Sequence, residues 1–70
     1  MDELRVGDVI DVSHRWKGRF LARVLEVHDD WVALRIVAGR ARLSSGRYEG
    51  EGDTLECRWR QFTYSRAESK

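Results

Sequence analysis

The chain contains no proline, a single cysteine and no long apolar run. Cys57, being alone, cannot close an internal disulfide. With His14 and His28 it makes at most three soft or borderline ligands, too few for a closed zinc site. No stretch approaches the roughly 18 apolar residues a membrane helix needs, and no signal peptide opens the chain, so a cytoplasmic location is expected. Neither sign of charge is in excess. Lys+Arg number 13 against 12 Asp+Glu, net +1, which argues against a generic polyanion binder and leaves local patches to decide. Lysine is scarce too: of the basic residues only Lys17 and Lys70 are not arginine. A GC-rich coding sequence produces that bias, and so does planar, bidentate recognition of phosphate or carboxylate. At 70 residues the chain is expected to form one domain, 1–70, with residues 4–65 ordered and the polar tails 1–3 and 66–70 frayed. A chain this short buries only about 60% of the surface its unfolded form exposes. Ligand pockets of about 300–1,000 Å³ are hard to build on such a core. Catalysis, a cofactor and a small-molecule substrate are therefore not expected.

What is present is strand-like nearly everywhere. Residues 6–12 open with a Gly-Asp turn and run into β-branched residues. Residues 13–18 are polar with a glycine, hence a loop. Residues 19–28 form a second strand in which Phe20, Ala22 and Val24 share one face, and Leu25 and Val27 the other. Both sets look buried, which predicts a kink or bulge near Val24-Leu25. Asp29-Asp30 is a tight turn. Residues 31–37 and 54–60 alternate with period 2, and 62–64 close the chain as a short last strand. The expected core is Val12, Val24, Val32, Leu34, Ile36, Leu55 and Trp59, with Cys57 an inert thiol among them.

Residues 31–60 read as one long hairpin. If Leu43 pairs with Tyr48 around Ser44–Arg47, then Arg42 faces Glu49, Arg40 faces Glu51 and Arg35 faces Glu56. In the same register Ile36 faces Leu55, Leu34 faces Cys57, Val32 faces Trp59 and Trp31 faces Arg60. Each cross-strand pair contributes roughly 0.2–1 kcal/mol. The outer half, residues 38–53, would project as an arm. Its arginines would be neutralised by Glu49 and Glu51, leaving Arg47 at the tip.

The opening Val6-Gly7-Asp8-Val9-Ile10-Asp11-Val12, the Trp16-Lys17-Gly18 before the second strand and the five short strands resemble SH3-like small barrels. The first two strands are similar to those of KOW, Tudor and integrase C-terminal domains, over residues 6–37. The resemblance implies an all-β, five-stranded SH3-like barrel, here with an elongated hairpin. Such barrels host many functions.

Two surfaces carry candidate chemistry. In His14–Arg23, Arg15, Lys17, Arg19 and Arg23 surround Trp16 with no acid between Ser13 and Leu25. An indole beside guanidinium groups stacks a base while the cations meet phosphates. The competing reading is a solvated loop whose Trp covers the open end of the barrel. The second surface is Arg58 and Arg60 with Trp31, where a cation–π contact would contribute about 0.5–1 kcal/mol if exposed. His14 and His28 sit in or beside turns without motif partners. Asp29 and Asp30, adjacent in a turn, diverge and do not form a general acid–base pair.

The leading expectation is a non-catalytic nucleic-acid-binding module using Arg15, Trp16, Lys17, Arg19 and Arg23, helped by Arg47, Arg58 and Arg60. The alternative is a protein–protein adaptor or inhibitor acting through the arm and exposed tryptophans, with Trp31, Leu43 and Tyr48 as contacts and self-association as one form. A pore-type enzyme assembled from such barrels is a third class. Charge placement separates the first two. A shared acid-free face for Arg15, Lys17, Arg19 and Arg23 favours nucleic acid, and Asp8, Asp11 or Glu26 among them favours the adaptor.

Overall fold

The computed structural model describes residues 4–67. Period-2 alternation of β-branched and apolar residues produces strands throughout, and no α-helix occurs among the described residues. The elements are β1 (Val9–His14), β2 (Gly18–Val27), β3 (Trp31–Gly39), β4 (Ala41–Arg42), β5 (Tyr48–Glu49), β6 (Thr54–Arg58), a 3-10 turn (Trp59–Gln61) and β7 (Phe62–Arg66). Five strands form one antiparallel sheet in the order β6-β3-β2-β1-β7, and β4 and β5 form a separate two-stranded ribbon.

The expected kink is present. Val24 faces Leu34 and Glu26 faces Ala33, so Leu25 is the extra residue in that ladder. A second irregularity, between Leu21 and Ala22, leaves Val37 unpaired on β3. Phe20, Ala22 and Val24 point inward by simple alternation, and the two breaks change only which β3 residues β2 faces. The other face of β2 does not join the core as expected: Leu25 is half-buried and Val27 is 42% exposed. A chain this size covers only one face of the strand. At the far end, β3 finishes on Gly39, with φ at 89°. A Cβ there would lie 3.2 Å from the Phe20 Cα, so only glycine allows this approach of the two backbones.

Of the expected core, Val12, Val24, Val32, Leu34, Ile36 and Leu55 are buried, together with Leu4, Ile10, Phe20, Ala22, Ala41, Cys57 and Phe62. Trp59 is only partly buried. It lies in the 3-10 turn, not on a strand, and packs against the core's edge.

The register of the long hairpin differs from expectation in two ways. Along β3 and β6 it is displaced by two residues. Val32 faces Cys57, Leu34 faces Leu55 and Arg35 faces Thr54, where Trp59, Cys57 and Glu56 were expected. A two-residue shift leaves every side chain on its own face, so the hydrophobic pattern is equally satisfied by both pairings. In the arm the displacement is one residue: Ala41 faces Glu49 and Arg42 faces Tyr48. The two ladders are separate because a turn interrupts them. Asp53 N–H donates to Gly50 O, and the Asp53 carboxylate accepts from Gly50 N–H at 2.9 Å. Gly52 then returns to Ile36 O at 2.8 Å.

The arm does not project. Ala41 is fully buried, and Arg42 N–H donates to Lys17 O at 2.9 Å, which folds the ribbon against the β1–β2 turn. The C-terminal tail is also shorter than expected. Arg66 belongs to β7 and pairs with Asp8 at 3.3 Å, and Ala67 N–H donates to Val9 O. Residues 1–3 and 68–70 lie outside the described residues.

Candidate nucleic-acid interface

The β1–β2 turn is built around His14. Its imidazole is buried, stacked on Phe62 at 6.4 Å and set edge-on to Trp16 at 4.9 Å. Nδ1 accepts the backbone N–H groups of Trp16 at 3.3 Å and Lys17 at 3.2 Å, so the ring proton sits on Nε2, which is buried without a partner among the described residues. Burial, and then the Lys17 charge, hold the imidazole below its ordinary pKa. Arg15 N–H is held by Gln61 O at 2.9 Å, and Gly18, with φ at 95°, turns the chain into β2. The Trp16 indole remains 46% exposed, and the Lys17 ammonium lies 4.3 Å from its centroid.

The basic strip does not continue as one surface. Arg15, Trp16 and Lys17 occupy the turn, whereas Arg19 and Arg23 stand on the outer face of the sheet. Arg19 pairs with Asp11 at 3.5 Å, and Arg23 lies opposite Val9 and Arg35. An acid therefore does interleave with the strip, the observation that favours a protein partner.

The arm changes in the opposite direction. Arg42 and Tyr48 face each other on its outer side, and the Arg40 guanidinium lies 5.5 Å from the Tyr48 ring. Tyr48 is 58% exposed. Glu49 falls on the opposite side beside Ala41, its Oε1 buried and without a partner among the described residues. The expected pairings of Arg42 with Glu49 and of Arg40 with Glu51 are thus not formed. Arg40, Arg42 and Arg47 make no ion pair among the described residues. Leu43 is half-buried and lines, with Leu25, Ala33 and Leu55, a cleft of about 560 Å³.

Trp31 faces Arg58, and the contact with Arg60 is not made because Arg60 lies in the 3-10 turn. The Trp31 indole is half-buried and stacks on His28 at 4.1 Å. One cleft of about 370 Å³ brings the two sequence-derived surfaces together: Trp16 and Lys17 line it with Trp31 and Arg58, and Glu56, Cys57 and Gln61 complete its wall. Burial pushes the Cys57 thiol up to about 11, despite the nearby Lys17 charge, so it is no nucleophile at neutral pH. Arg58 also borders a second hollow with Arg60, Trp59 and the acids Asp29 and Asp30.

Sequence reasoning missed Arg40 and Arg42 as surface cations, and Glu56 and Gln61 as cleft residues. The signal for the first pair was the turn-forming Gly50-Glu51-Gly52-Asp53, which separates the arm from the β3–β6 ladder. In comparisons with known proteins, no family model matches the chain, no curated protein matches it and no solved structure matches it.

Proposed function

We propose that the protein is a small nucleic-acid-binding module of the SH3-like barrel type, and that its binding edge is the β1–β2 turn joined to the arm. The barrel reading is supported by the strand order, in which the last strand returns through a 3-10 turn to pair with the first. The observation that carries the function is the outer side of the arm, whose arginines make no ion pair among the described residues. Arg40, Arg42 and Tyr48 share that side, and Arg42 N–H is bonded directly to Lys17 O of the turn that presents Trp16. Guanidinium groups without counter-ions meet phosphates, and exposed aromatic rings beside them stack bases. Catalysis forms no part of this reading.

The test is salt-titrated binding to single-stranded and duplex DNA and RNA. Arg40→Ala and Arg42→Ala should each weaken binding and lower the magnitude of the log–log salt slope by about 0.7 on single strands. Arg19→Ala, on the outer sheet and already paired with Asp11, should change little. A larger loss at Arg19 than at Arg42 would sink the assignment of the edge. A protein partner is the second reading, favoured by Asp11 standing among the basic residues of the strip. A salt-insensitive association, or one confined to a protein ligand, would select it.

A further inference from the structure

We propose that the cleft between Trp16 and Trp31 is a slot for one unpaired nucleobase, with guanine preferred. This rests on the nucleic-acid reading above and narrows it to single strands. Trp31 is a platform already fixed in place. His28 covers one side of it at 4.1 Å and 18° between planes, and Trp59 Nε1–H holds His28 O at 2.8 Å. Little ordering is left for a ligand to bring about, which favours stacking on the free part of the indole. Trp16 lines the same cleft, whose volume of about 370 Å³ is of ligand-pocket size.

The polar groups around the cleft identify the occupant. Glu56 is exposed, and its carboxylate makes no ion pair or hydrogen bond among the described residues, although Lys17 and Arg58 border the same cleft. A carboxylate only accepts. Guanine alone presents two adjacent donors, N1–H and the N2 amino group, on its Watson–Crick edge, matching both oxygens. Adenine and cytosine offer one amino group, and uracil and thymine flank their single N–H with carbonyl oxygens that a carboxylate repels. The two cations exceed the one acid, so the cleft suits a base carried on an anionic strand, with Lys17 and Arg58 toward the flanking phosphates. A duplex keeps its bases stacked and their edges occupied, and so does not enter.

Labelled ten-nucleotide pyrimidine strands carrying one central guanine, adenine or cytosine, as DNA and as RNA, test this by fluorescence anisotropy, alongside intrinsic tryptophan fluorescence. The guanine strand should bind about tenfold tighter than the others. Glu56→Gln should abolish that preference, bringing the guanine strand level with the adenine and cytosine strands. Glu56 is an exposed strand residue, so circular dichroism should report an intact fold. Trp31→Leu should weaken every strand by roughly tenfold with the salt slope unchanged, because stacking releases no counter-ions. Equal affinity for all strands, with Arg42→Ala still weakening them, would overturn the slot and leave the nucleic-acid reading standing. Binding to no strand at low salt would overturn both. Tryptophan quenching by a proline-rich peptide in place of the strands would assign the cleft to a peptide and overturn the proposal.

Discussion

His14 shows how one side chain sets a turn. Its Nδ1 does the work that an Asx side chain does elsewhere, accepting two backbone N–H groups that would otherwise lack partners. Protonation would place a third donor against those two. The native pKa is held below the ordinary value of 6.5, so the unfolded chain takes up a proton first as pH falls. The His14 contribution is therefore complete above about pH 7.5, shrinks as pH falls through 6.5 and is lost once pH drops below the lowered native value. Denaturant unfolding between pH 8 and 5 should show this loss. His14→Asn keeps an acceptor near the Nδ1 position and does not titrate, so its stability should be flatter over that range. Equal pH slopes for the two proteins would show that the imidazole does not control the turn. The sequence showed His14 only as a residue beside a turn, because burial by Phe62, distant along the chain, is a product of the β1–β7 pairing.

At the scale of elements, the strands were legible and their partners less so. Period 2 places Val32, Leu34 and Ile36 on the inner face whichever register is chosen, as long as it shifts by an even number. Charge matching then selected a register that the fold does not use, since exposed pairs contribute too little to fix it. The turn at Gly50–Asp53 and the burial of Ala41 decide it instead. The same error hid the arm's cations, since pairing them with Glu49 and Glu51 removed them from the candidate surface. The stability of β3 tests the part that was legible. Leu34 is fully buried and faces Leu55, so Leu34→Ala should cost about 2–5 kcal/mol in denaturant unfolding. Cores below about 70–80 residues rarely supply more than 3–5 kcal/mol, so much of the sample should be unfolded at room temperature. A variant with the wild-type midpoint would mean that this face is not the core.

Over the whole molecule, net charge is +1, so little long-range field attracts a polyanion. Any affinity must come from contact between phosphates and a few local cations. At the proposed edge these are Arg15, Lys17, Arg40, Arg42 and Arg47, none of which is ion-paired among the described residues. With about 0.7 counter-ions released per phosphate on a single strand, and not every cation engaged at once, the log–log salt slope should be about −3. Raising salt from 50 to 200 mM would then weaken binding about 60-fold. Binding should accordingly be weak at physiological salt, and stacking on Trp16, Trp31 and Tyr48 should supply the part that salt does not remove. The weak field has a kinetic consequence as well. Association should remain near the unsteered 10⁵–10⁶ M⁻¹s⁻¹ of neutral encounters, and salt should act mainly on dissociation. Stopped-flow tryptophan quenching at several salt concentrations separates the two rates. An association rate that falls steeply with salt would mean that the arm and turn create a steering field of their own, contrary to the balance of charge over the chain.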